Sequence, residues 1–214
     1  GHGTFVLDLF NDRDLTAIAV GCVHVNADEG GGFDGESLLE ATRKLECDEA
    51  PLVYGAGFED RPELLGRLAR GRTLCGNSSQ TLARIKDPGD FFTTLDNLDI
   101  RHPEISLTPP ENPPDDSGGW LVKPVGGSGG HHIRLVDETV RENGPADESA
   151  LPAVPVYYQR TLAGRAVSLL FLGDGARIRT LGVSQQHPAP FPPDHLFRFG
   201  FAVTLCGGEA LLEA

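Results

Sequence analysis

Four of the five residues from Gly126 to Gly130 are glycine, and strand-forming sequence stands on both sides of them. The run reads Gly119-Trp-Leu-Val-Lys123-Pro-Val-Gly126-Gly127-Ser128-Gly129-Gly130-His-His-Ile133. An apolar strand ends at a lysine, a loop follows, and a second strand begins. Glycine lets backbone N–H groups approach phosphate oxygens with no Cβ in the way. Lys123 sets a mobile point charge beside them. The GK[ST] ending of a Walker loop is absent, and a strand follows where the dinucleotide GxGxxG would open a helix. Two readings stand open on this stretch alone: a phosphate-binding loop, or a tight hairpin whose glycines serve turn geometry with Lys123 merely exposed.

The sequence before the loop alternates between strand and helix patterns. Strand-like runs at residues 4–10, 22–25, 52–54 and 73–75 are separated by helical patterns at 14–20, 35–45 and 62–70. Pro62 sits near a first helical turn, where a missing N–H costs nothing. Strands separated by helices predict a parallel sheet. Residues 78–98 read as two helices broken at Asp87-Pro88-Gly89, the second carrying Phe91, Phe92, Leu95 and Leu98 at helical spacing. Residues 108–119 hold four prolines and form a loop or linker. Beyond it, strand-like runs at 120–125, 131–136, 154–162, 166–172 and 178–184, with Gly164, Gly173 and Gly175 in the turns, predict an antiparallel half. Residues 138–150 are polar and 187–195 form a proline-rich loop. The expected division is 1–77 for a parallel α/β domain and 78–214 for a second domain.

With 39% hydrophobic and 23% charged residues the chain can build packed cores. The net charge of −13 repels polyphosphate backbones, which argues against a nucleic-acid partner. It leaves room for a local patch of Lys and Arg to hold one triphosphate. Four widely spaced cysteines, Cys22, Cys47, Cys75 and Cys206, form no CxxC pair, so the expectation is a reduced cytoplasmic protein with small buried thiols. No run has the apolar length of a membrane span. The chain has no methionine and opens directly on strand-like sequence, so we expect residues upstream of Gly1.

In this order and spacing the chain resembles the ATP-grasp superfamily. The resemblance implies an α+β architecture: an N-terminal parallel α/β domain, then an ATP-binding half of two α+β subdomains whose C-terminal part is incomplete here. Ala83-Arg-Ile-Lys86-Asp87 resembles the helical opening of that half, where a first lysine reaches the phosphates. Trp120-Leu-Val-Lys123-Pro124 resembles the strand with the second lysine, and Gly126, Gly127, Ser128, Gly129 and Gly130 the loop that folds over the phosphates. Tyr157-Tyr-Gln159-Arg160-Thr-Leu162-Ala-Gly164 resembles the hinge strand beside adenine. The resemblance thus implies ATP and Mg2+ as cofactors, with Lys86, Lys123, the loop, Gln159, Arg160 and Leu162 around the nucleotide. Two departures stand out. Ala166 occupies the place of a ribose-binding Glu, and the late acidic pair that holds magnesium does not occur before Ala214, so no metal ligand is assigned and further sequence is expected downstream. Glu209 and Glu213 fall in a helical pattern that does not suit that role.

A narrower likeness rests on Val6-Leu-Asp-Leu-Phe-Asn-Asp-Arg-Asp14, Tyr54-Gly-Ala-Gly-Phe-Glu59 and Leu74-Cys-Gly-Asn77, which resemble a group related to tyramine–glutamate ligase, linked in part to methanofuran-type coenzymes. The resemblance implies a ligase that joins a small-molecule carboxylate to an amine, with a homodimer allowed. A nucleotide-binding module without catalysis is the alternative. Glu59 follows a parallel strand, where ligand loops stand, and is a candidate substrate residue; it serves equally as a surface carboxylate opening a helix. Asp8, Asp12 and Asp14 read as helix entry as readily as a site. Arg198 is a candidate catalytic cation for an anionic substrate or acyl phosphate, or else stacks on Phe197 and Phe199. Lys86 would also suit a helix end, Gln159 a satisfied strand position, and Leu162 any apolar environment. His131 and His132 are expected to open a strand, one packed and one solvated.

Overall fold

The computed structural model of the chain describes residues 3–29, 31–45, 49–110, 119–136, 155–189 and 195–205. The expectations for Cys47, Cys206, residues 111–118 of the linker, 138–150, 190–194 of the proline-rich loop, and the helix of Glu209 and Glu213 lie outside them. The chain divides into two compact units, Gly1–Phe91 and Phe92–Ala214.

In the first unit β1 (Phe5–Asp8) and β2 (Gly21–His24) pair in parallel, with Phe5 opposite Gly21 and Asp8 opposite His24. The helix between them, α1 (Arg13–Ile18), starts at Asp12, whose side chain accepts from the Leu15 N–H at 3.0 Å. The Asp8 carboxylate accepts from the Phe10 and Asn11 N–H groups, which holds its pKa below the ordinary value. Asp8 and Asp12 therefore organise this turn as helix entry. Asp34 caps α2 (Gly35–Lys44) through the Ser37 N–H, and Pro62 opens α3 (Pro62–Leu68). Leu38, Leu39 and Ala41 of α2 and Leu64, Leu65 and Leu68 of α3 are buried, together with Val25, Phe58 and Leu82. This is the helical spacing of the sequence turned into a core.

The expected strands at 52–54 and 73–75 reduce to one parallel bridge, Leu52 opposite Leu74. Gly55 and Gly76 end the extended runs at once; a Cβ at Gly76 would stand 2.8 Å from the Tyr54 ring. Cys75, expected buried, is exposed on this short edge, and Cys22 is half-buried. Ser78 caps α4 (Ser79–Lys86) through the Thr81 N–H. Asp87 ends α4 and starts α5 (Pro88–Asn97): its N–H donates to the Ala83 carbonyl, and its carboxylate accepts from the Asp90 N–H at 2.8 Å. The break read at Asp87-Pro88-Gly89 is thus a shared cap, and the boundary between the units falls inside α5.

The second unit holds two antiparallel sheets. In the first, β3 (Ile105–Ser106), β4 (Trp120–Pro124), β5 (Arg134–Leu135) and β6 (Val156–Arg160) take the order β3-β6-β4-β5. Trp120, Val122 and Tyr158 form its buried core, with Val136 and Val156 packed beside them. In the second, β7 (Val167–Gly173), β8 (Ile178–Pro188) and β9 (Phe199–Thr204) pair in chain order. Neither β3 nor β9 is expected from sequence, and β8 runs into what reads as loop. The irregularity falls at His187/Pro188, where a proline is tolerated at a bulge. Apolar side chains of this second sheet face water: Leu170 is 64% exposed, Ile178 70% and Phe201 57%, while Val183 is buried. Among the described residues no helix is long and apolar enough to cross a membrane.

Candidate functional site

Side chains alternate along a strand, so β4 presents two different faces. Trp120 and Val122 enter the core, and Lys123 falls on the other face, half-buried and directly opposite Tyr157 of β6. Its ammonium donates to Gln159 Oε1 at 3.0 Å and stands 5.7 Å from the centre of the Tyr157 ring. Lys123, Tyr157 and Gln159 therefore make one polar group on one sheet face, three residues before the glycine loop. Burial raises the Tyr157 phenol pKa, and Phe92 of α5 lies 6.2 Å from its ring. Arg160 shares the opposite face with Trp120, its guanidinium 5.9 Å from the indole. Leu162 lies past the end of β6 and is 71% exposed.

The loop itself needs its glycines. Gly126, Gly129 and Gly130 have φ of 81°, 72° and 74°, a region costly for residues with a Cβ. A Cβ at Gly127 would overlap the His132 ring, and one at Gly130 the Phe197 carbonyl oxygen. Ser128 is exposed. The loop lies against residues 195–199: the Phe199 N–H donates to the Gly129 carbonyl at 2.8 Å, and His195 Nδ1 hydrogen-bonds the His131 carbonyl. This brings the main chain of Arg198 beside Gly130. The His131 and His132 rings meet edge to face at 4.7 Å. These histidines do not open a strand; the Ile133 N–H turns back to the Gly130 carbonyl, and β5 begins only at Arg134. Partial desolvation, then the charges of His195, Arg134 and Arg198, hold the His131 pKa below its ordinary value.

Lys86 and Glu59 belong to the first unit. Lys86 is the last residue of α4, half-buried at the negative end of the helix. The Glu59 carboxylate accepts from the Gly57 N–H at 2.7 Å, stabilising its own loop. Tyr54 donates from its hydroxyl to the Asn77 carbonyl at 2.9 Å, and burial, followed by the Glu59 charge, raises its pKa. Tyr54, Glu59 and Asn77 thus stand together at the carboxyl end of the parallel bridge. The structure groups Lys123 with Gln159, and the loop with Arg198, and leaves Arg160 on the far sheet face. Tyr157 and His195 were not singled out by sequence. The first could have been found as the residue two before Gln159 on a pairing strand. For the second, no local pattern announces its hydrogen bond to His131, 64 residues away.

Glycine backbone that no Cβ shields, three residues after a lysine, suits phosphate oxygens. A divalent metal is a different matter. Among the described residues no three His, Cys, Asp or Glu side chains converge.

Residues 86–197 match the ATP-grasp domain family, and the chain belongs to it. No curated protein matches the chain. Solved structures share the fold. N5-carboxyaminoimidazole synthetase from Staphylococcus aureus superposes with a TM-score of 0.59 at 17% identity, over 88% of this chain and 49% of that one. Biotin carboxylase from Campylobacter jejuni, as its β-γ-ATP complex, gives 0.64 at 13% identity, over 88% and 47%. L-amino acid ligase from Bacillus licheniformis gives 0.57 at 14% identity, over 96% and 55%. The chain spans about half the length of these proteins. The α+β architecture read from sequence is therefore the ATP-grasp fold.

Proposed function

We propose that the chain is the nucleotide-binding part of an ATP-dependent ligase that joins a carboxylate to an amine. One observation carries the reading: in a chain of the ATP-grasp family, Lys123 is oriented by Gln159 on the strand that leads into the Gly126–Gly130 loop. Lys123 Nζ neutralises phosphate charge and the loop N–H groups donate to phosphate oxygens; Lys86 keeps the role of first lysine that the sequence resemblance implies. Arg198, beside Gly130, holds the anionic substrate or acyl phosphate. Gln159 and Leu162 face the base. In the reaction, the substrate carboxylate oxygen attacks the γ-phosphorus and ADP departs with the bridging oxygen. The amine nitrogen then attacks the acyl carbon, phosphate leaves, and the nitrogen loses its proton. Positioning and charge neutralisation, not covalent help from side chains, lower the barrier. Magnesium, which the family resemblance implies, would supply further charge neutralisation, and no ligand to it is assigned among the described residues.

The substrate class follows the narrower sequence likeness: an amino-acid carboxylate such as glutamate and an aromatic amine such as tyramine, with Glu59 as the candidate substrate residue. The test is ADP release measured with carboxylate and amine pairs, the wild type beside Lys123→Ala. A variant with about 10²–10³-fold lower turnover, roughly 2.7–4 kcal/mol, is the expected result for a lost charged donor. Full activity in Lys123→Ala would sink the assignment. Nucleotide binding with no turnover for any pair would make the chain a binding module.

A further inference from the structure

Four of the chain's 18 basic residues, Arg43, Arg67, Arg70 and Arg72, line one cavity of about 500 Å³ in the first unit. The chain carries a net charge of −13, so this concentration of guanidinium groups runs against its overall balance. Arg43 comes from the last turn of α2, Arg67 from the last turn of α3, and Arg70 and Arg72 from the turn that leads to the Leu74 bridge. The cavity therefore lies where α2 and α3 end and the chain re-enters the parallel bridge. Glu59 and Asn77 stand at the other, carboxyl end of that bridge.

Helix ends and ion pairs each account for part of this cluster. Basic residues in a last helical turn offset the negative helix end, about half a charge per helix. That accounts for Arg43 and Arg67, but Arg70 and Arg72 lie beyond α3. Ion pairing is the other explanation. Arg67 contacts Glu36 at 2.8 Å, and Glu49 lines the cavity. Neither Arg43 nor Arg70 has an ion-pair partner among the described residues. Arg72 has an interaction of its own, so the guanidinium groups left to receive an anion are those of Arg43 and Arg70. Its floor is apolar, made by the buried side chains of Leu39 and Leu68. Guanidinium forks match phosphate oxygens two at a time, which a set of lysines would not do.

We propose that this cavity is a second anion site, which takes a small phosphate-bearing organic molecule with its phosphate on the arginines and its body on Leu39 and Leu68. The proposal does not rest on the ligase reading. Inorganic pyrophosphate serves as the probe of the phosphate part. The full chain is titrated by calorimetry and thermal unfolding, with Arg43→Gln/Arg70→Gln and Lys123→Ala in parallel. The expected result is binding with an upward melting shift of several degrees, weakened at least tenfold in the double arginine variant and retained in Lys123→Ala. Arg43→Lys/Arg70→Lys keeps the charge but loses the fork and should fall between the two. Three results overturn the proposal: no binding to the wild type, equal binding to the double arginine variant, or binding that disappears with Lys123. Arg43 and Arg70 are exposed, so their replacement leaves the core intact.

Discussion

Surroundings move the two histidines His102 and His131 in opposite directions, hydrogen-bond acceptors raising the pKa of the first and partial burial lowering that of the second. His102 Nδ1 faces the Pro103 carbonyl at 2.7 Å, and Nε2 faces Asp96 Oδ1 at 2.9 Å. Both partners are acceptors, which favours the ring with a proton on each nitrogen, and the pKa rises, chiefly through the Pro103 carbonyl and then Asp96. Its contribution to stability is full below the unfolded value near 6.5 and is lost as pH rises through the raised folded value. His131 runs the other way. Its folded pKa is lowered, so its contribution is present above that unfolded value and fades as pH falls towards the folded one. NMR titration of the wild type should place His102 above and His131 below the ordinary value. In His102→Ala the stability deficit should be largest in mild acid and shrink with rising pH. A deficit that grows with pH would contradict the geometry. At this scale Lys123 was legible, because a lysine interrupting an apolar strand has a marked position. Its partner Gln159, 36 residues away, became legible only through the family resemblance.

Among the elements, the helices follow their signals closely. Asp87-Pro88-Gly89 announces the junction of α4 and α5 because an acidic cap, a proline and a glycine each favour a helix end for a separate reason. The strands are less faithful. Leu52 and Leu74 have strand sequence, but Gly55 and Gly76 follow closely and only one bridge forms. The strand β9 contains Gly200, whose missing side chain admits Ala189 at 2.8 Å from a would-be Cβ. Such a close approach is a property of the partner strand and is invisible in a local window. The turn at His131 and His132 was read as strand for the same reason: the positive φ of Gly129 and Gly130 redirects the chain just before it. Gly130→Ala should test the loop. A Cβ there costs about 1–2 kcal/mol in backbone conformation alone and also meets the Phe197 carbonyl. The variant should melt lower and bind ATP more weakly, whereas Gly55→Ala, with open space around it, should match the wild type in ATP binding. Unchanged nucleotide affinity in Gly130→Ala would separate the loop from the site.

At the level of the whole molecule, two cores stand apart in sequence: one around Leu65 in the first unit, one around Trp120, Val122 and Tyr158 in the second. The α+β class and the change from parallel to antiparallel pairing were legible because periodicity and linker composition both shift along the chain. The arginine cavity was not, since its four guanidinium groups converge only when two helix ends and a turn meet. Leu65, with no exposed surface, should cost about 2–5 kcal/mol when cut to alanine. Hydrogen exchange should show the loss in α2 and α3 and leave β4 and β6 protected; equal loss in both would mean that the two cores melt as one.

The wetted apolar sheet of β7, β8 and β9 gives the chain a particular colloidal character. Leucines, isoleucine and phenylalanines in contact with water form a template for sticking to other copies. Repulsion between molecules of net charge −13 opposes this, and salt screens repulsion while leaving the apolar attraction intact. The protein should therefore be handled dilute and at low ionic strength, for its solubility is a balance between one greasy sheet and a strongly charged remainder.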